Sequence, residues 1–155
     1  MTISHYELER LKDLPLFGGL GTETIRDLLN EAVVRMHPRR STLFLQDDPV
    51  ERFFVVFSGW VKLYRLSPSG AEAVIEIFGP GESFAEGAMH DTGVYPVSAE
   101  MVCDGRLLEI PTAPFRRRLS ADPDLALNML ASMSIRLKKF VRRTEVRKSA
   151  APSSS

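Results

Sequence analysis

Residues 53–65 read Phe-Phe-Val-Val-Phe-Ser-Gly-Trp-Val-Lys-Leu-Tyr-Arg. β-branched and aromatic side chains dominate them, the types that fit a pleated, half-buried surface. From Trp60 to Leu66, apolar and polar residues alternate, as on a strand with one face in a core. Ser67-Pro68-Ser69-Gly70 follows, and its composition predicts a hairpin turn into the next run.

Similar runs lie on both sides: VVRMHP (33–38) and TLFLQ (42–46) before, then AVIEIFG (73–79), ESFAE (82–86), YPVSAEMVC (95–103) and RLLEIPT (106–112). Gly, Pro, Asp and Ser separate them. About eight short strands in roughly eighty residues predict a jelly roll or barrel. No long helical pattern lies between them, which argues against a parallel α/β sheet.

Helices are expected at both ends. Residues 6–13, with Tyr6, Leu8 and Leu11 among charges, predict a short helix ending near Pro15. Residues 22–33 predict a second, with Thr22 as N-cap and Ile25, Leu28 and Leu29 as the apolar stripe. Residues 114–119 predict a helical turn carrying Arg116, Arg117 and Arg118. Asp122 then caps the longest helix, with Pro123 in its first position. The reading divides the chain into helices and roll (1–121), a long helix (122–148) and a small polar tail (149–155) expected to be disordered.

Ala126, Leu130, Met133, Leu137, Phe140 and Thr144 repeat at spacings of 4, 3, 4, 3 and 4, broadened by Met129 and Val141. That is a heptad seam, and a single helix needs a partner for it. We therefore expect a homodimer through this helix. Its basic end, Arg136 to Lys148, reads as a solvated face complementing the helix C-terminal dipole.

Composition excludes several classes. The 155 residues carry 20 basic and 20 acidic side chains, so bulk charge favours neither nucleic acid nor membrane. No apolar run approaches the ~18 residues that span a bilayer, and no signal-peptide pattern opens the chain. A cytoplasmic protein is expected. The lone Cys103 allows no internal disulfide and no iron–sulfur cluster; it is predicted buried in a strand and inert. His5, His37 and His90 form no His-x-His pair, and no nucleophile elbow, Walker loop or Cys-x-x-Cys occurs. We expect no enzyme.

Particular words in the sequence resemble one family. Leu14-Pro15-Leu16-Phe17, the 53–65 stretch, Ser69-Gly70-Ala71-Glu72 and Gly79-Pro80-Gly81-Glu82-Ser83-Phe84-Ala85-Glu86 are similar to the sensor domains of CRP/FNR-type transcription regulators. The phrases FAEGAMHDT (84–92) and LALNMLASMSIRL (125–137) resemble the subgroup typified by the dissimilatory nitrate respiration regulator. The resemblance covers residues 11 to 148. It implies a mainly β protein with flanking helices: a double-stranded β-helix of the cyclic-nucleotide-binding type plus a long C-terminal dimerisation helix. Family members continue into a helix-turn-helix domain. No counterpart follows here, so the sensory half alone is expected, with DNA reached only through a missing domain.

The resemblance also frames the ligand question. In nucleotide-binding members a glycine–glutamate pair meets the ribose, an arginine followed by serine neutralises the cyclic phosphate, and a threonine–serine pair on the long helix reaches the purine. Here Glu86 keeps its place, but Ala85 stands for the glycine, Pro96 and Val97 for the arginine and serine, and Phe140 and Val141 for the purine-reading pair. Cyclic AMP is therefore expected not to bind, since a buried phosphate needs a partner. Asp47 replaces a usual turn glycine, which predicts a turn of different shape. Glu86 is read as capping backbone amides or pairing with a neighbour such as Arg65. Phe84, Glu86, Met89, Tyr95, Pro96, Val97, Phe140 and Val141 are expected to line an apolar pocket between roll and helix. The subgroup's association with haem and nitric oxide makes haem a candidate cofactor, with His90 first among candidate ligands, ahead of His5 and His37, and with Met89, Met129 and Met133 as sulfur alternatives. A redox sensor and a ligand-free structural dimer module are the competing readings.

Overall fold

The computed structural model describes residues 3–86 and 93–131. Helix α1 (His5–Leu11) opens it, followed by a 3-10 turn (Pro15–Phe17) and helix α2 (Thr22–Leu28). Eight strands follow among the described residues: β1 (Val33–His37), β2 (Thr42–Phe44), β3 (Arg52–Ser58), β4 (Val61–Leu66), β5 (Glu72–Phe78), β6 (Ser83–Phe84), β7 (Ser98–Met101) and β8 (Gly105–Pro111). Helix α3 (Thr112–Ala121) comes next, and residues 123–131 are helical.

The strands form two four-stranded antiparallel sheets, ordered β1-β8-β3-β6 and β2-β7-β4-β5. The chain passes repeatedly from one sheet to the other, as a jelly roll requires. β3 shows why its sequence is a continuous apolar run: both its faces are covered. Phe53, Val55 and Phe57 point to the layer of helices, while Phe54 and Val56 point between the sheets. β8 divides likewise, with Leu108 and Ile110 toward the helices and Leu107 toward the roll interior. The fold thus has two cores on either side of one sheet. β5 is an edge strand, and Val74, Ile75 and Ile77 stand exposed along it.

The helix N-caps differ from expectation in one place. Gly21, not Thr22, holds the N-cap of α2, and no side chain caps it. The second helix also stops at Leu28, because β1 begins at Val33. α1 has a full capping box: Ser4 Oγ accepts from the Glu7 amide and the Glu7 carboxylate accepts from the Ser4 amide. Asp122 caps as expected, its Oδ1 accepting from the Leu125 amide at 3.1 Å. The Ser67–Gly70 turn closes with Gly70 at φ +86° and a 2.8 Å bond from its amide to the Ser67 carbonyl.

Glu7 also ties α1 to the roll. Arg106 Nε donates to its Oε2 at 2.6 Å and Nη2 to its Oε1 at 3.0 Å. These bonds hold the Glu7 carboxyl below its ordinary pKa of 4.5, against the opposing effect of burial. A depressed carboxylate contributes stability above its unfolded pKa and loses it as pH falls through the folded value. We expect this contribution, of the order of 1 kcal/mol, to be intact at neutral pH and to be lost progressively as pH falls below 4.5 and through the depressed folded value. Thermal unfolding of wild type and Glu7→Gln from pH 7 to pH 3 checks it: the gap between them should close with acid, and a constant gap would refute the linkage.

Candidate functional site

The sequence words that pointed to a ligand pocket converge on the second core. β6 delivers Phe84 into it, fully buried, where its ring stacks on Phe54 (centroids 4.9 Å) and Phe78 (5.6 Å). Tyr95 enters from the segment before β7 and lies on Phe44, ring centroids 3.8 Å apart and nearly parallel. Its hydroxyl donates to the Arg52 carbonyl at 2.7 Å and accepts from the Arg52 amide at 3.2 Å. Among the described residues, Phe84 and Tyr95 are surrounded by rings. They fill the space between the sheets with their own rings, each held by stacking on another aromatic side chain. A strand pattern places an aromatic residue in a core but does not tell filling from lining.

The other members scatter. Pro96 is exposed and Val97 half-buried. Met89, His90, Met133, Leu137, Phe140, Val141 and Thr144 lie outside the described residues. Glu86 neither caps amides nor reaches Arg65; it accepts a short hydrogen bond from the Ser83 hydroxyl. Asp47 and Ala85 resolve the glycine question. Both adopt left-handed backbone, with φ of +71° and +64°. The turn at Asp47 keeps the conformation a glycine would favour, so its shape does not change as expected. Its amide donates to the Tyr95 carbonyl and the Tyr95 amide to the Asp48 carbonyl, which ties the two loops together.

Among the histidines, His37 ends β1. Its Nε2 lies 3.2 Å from Glu109 Oε2, on the inner side of the first sheet. Glu109 is buried beside Leu107 and Phe54, and Arg35 and Arg52 share its carboxylate. Sequence reading missed this cluster; an acidic residue inside an apolar strand (RLLEIP) was the available signal. His5 is largely exposed and lies 4.0 Å from Glu9. Cys103 sits in a bend between β7 and β8 and is partly exposed, rather than buried in a strand. Met129, counted in the seam from spacing, packs with Leu125 into the chain's own first core. Leu130 stays exposed and Ala126 is half-buried.

These placements do not fit haem among the described residues. The interior beside Glu86 is filled by rings, His37 is held by Glu109, His5 is on the surface and Met129 is in the core. Of the candidate axial ligands, these three are therefore placed in an ion pair, at the surface and in a core.

The cyclic nucleotide-binding domain family matches residues 34–122. The chain is 32% identical over 129 residues to the cyclic AMP receptor protein of Thermus thermophilus, a match covering 83% of this chain and 60% of that one. It is similar in structure to DNR from Pseudomonas aeruginosa, with TM-score 0.86, 29% identity, and coverage of 94% of this chain and 65% of that one. The sensor domain of DNR alone gives TM-score 0.74 and 28% identity, covering 97% of this chain and 96% of that one. The chain spans 55–60% of the length of the curated relatives it matches first.

Proposed function

Because the chain belongs to the cyclic nucleotide-binding domain family, among relatives that are CRP/FNR-type transcription regulators, we propose that it senses an effector other than a cyclic nucleotide and acts as a homodimer. One observation carries the first half. No arginine or lysine occurs between Arg65 and Arg106, and Pro96 and Val97 stand where the phosphate-neutralising pair belongs. A cyclic phosphodiester keeps its charge, and burying that charge unpaired costs several kcal/mol. The aromatic filling by Phe84 and Tyr95 supports the same reading. The Thermus relative is named for cyclic AMP, so the test is direct. Calorimetric titration with cyclic AMP should give no saturable heat up to ~1 mM. Binding in the micromolar range would sink the proposal. Haemin in a separate run tests the haem alternative, for which the described residues give no support.

The second half rests on the two-sided helix at 123–131. Leu125 and Met129 dock into the first core, while Leu127 and Leu130 are 62% and 64% exposed. Leu130 belongs to the heptad seam that predicts a partner helix. Sedimentation should find a dimer that Leu130→Glu converts to monomer. A monomeric wild type, or an unchanged dimer in the variant, would remove this helix from the interface.

A further inference from the structure

A different part of the molecule offers a built cavity. Between α1, α2 and β1 lies a space of about 440 Å³. Ile3, Leu8, Leu29, Ala32 and Val33 line it together with Arg26 and Asn30; Leu8 and Leu29 are buried, while Arg26 and Asn30 are exposed. Its size falls within the range of small-molecule sites, about 300–1,000 Å³, which are mostly apolar with a few polar groups that orient the ligand. Arg26 projects from the last turn of α2 and is exposed. Among the described residues no carboxylate lies within ion-pair distance of its guanidinium.

We propose that this cavity binds a small amphipathic carboxylate, a medium-chain acid for instance. The apolar body would bury against Leu8, Leu29 and Val33, and the carboxylate would take paired hydrogen bonds from Arg26, whose planar fork matches that group. A cationic or neutral chain of the same length would lose that pairing.

The position of α2 gives the site a consequence. One side of the helix, through Arg26 and Leu29, borders the cavity. Its other side, through Thr24, Asp27 and Leu28, borders a groove shared with Arg118, Asp122 and Leu125 at the start of helix 123–131. An occupant would therefore contact the same helix that borders the start of the helix proposed to pair. This consequence rests on the sensing reading; binding itself does not, and the cyclic AMP titration tests that reading separately.

Octanoate is the probe, titrated calorimetrically into the full chain with octylammonium as control. Saturable binding with Kd below ~1 mM is expected. Arg26→Gln should weaken it about tenfold, and Ala32→Phe, which fills the cavity, should abolish it. No binding of octanoate, equal binding of octylammonium, or affinity unchanged in Arg26→Gln would each overturn the proposal. Arg26 is exposed, so its variant folds and remains decisive if Ala32→Phe does not.

Discussion

Phe84→Ala is expected to destabilise the protein by about 4 kcal/mol, near the middle of the range for deleting a buried aromatic ring. Phe84 has no exposed surface and is in ring contact with Phe54, Phe78 and Phe44. β6, which carries it, is only two residues long and pairs with β3 through Phe54 and Val55. So short a strand contributes few backbone hydrogen bonds. Its attachment to the first sheet depends on that ring, and truncation removes transfer energy and leaves a void together. For a chain of this size, 1 kcal/mol shifts Tm by roughly 2–4 °C, so a fall of about 8–16 °C follows. The measurement also decides between two views of the roll. A ring that lined an open pocket would lose little when cut back, because its space would already be solvated. A loss under about 1 kcal/mol would restore the pocket expected from sequence and refute the filled interior.

The comparison between sequence and structure turns on what a local pattern encodes. The strand runs, the Ser67–Gly70 turn and the Asp122 cap were legible because each rests on chemistry within a few residues: period, turn composition, an oxygen facing free amides. Even the Ala85 and Asp47 positions were visible as departures from a glycine pattern, although the structure reverses the inference about shape. The backbone stays left-handed at both, and the substituted residues bear the strain. The candidate site was less legible. Whether Phe84 and Tyr95 fill or line depends on rings from β2 and β3, which are distant in sequence, as well as on Phe78 nearby. The bonds of His37 to Glu109 and of Glu7 to Arg106 span 72 and 99 residues, and no window-based reading could join them. Met129 shows the same limit on a helix: a heptad stripe identifies apolar positions but does not assign them to the chain's own core or to a partner.

Backbone meets backbone closely where the chain crosses between sheets, and Gly59→Ala should expose this contact. Gly59 joins β3 to β4 and Gly105 opens β8 after β7, so two passages from sheet to sheet touch there. A Cβ on Gly59 would stand 2.7 Å from the Asp104 carbonyl oxygen and 2.7 Å from Gly105 Cα, both backbone atoms that no rotamer change can move aside. Gly59 also has φ +87°, a conformation that costs an alanine about 1–2 kcal/mol. Adding a clash in a packed region costs about 1–3 kcal/mol more. The expected loss is therefore about 3 kcal/mol, or roughly 6–12 °C in Tm. Two companion variants separate the contributions. Gly70 has φ +86° but nothing within 4 Å of its Cβ position, so Gly70→Ala should show the strain alone, about 1 kcal/mol. Gly105 has no positive φ, yet its Cβ would meet the Ser58 carbonyl at 2.5 Å, so Gly105→Ala should show the clash alone, about 2 kcal/mol. If Gly59→Ala costs no more than Gly70→Ala, the two passages have room to part, and the crossing does not lock the sheets together.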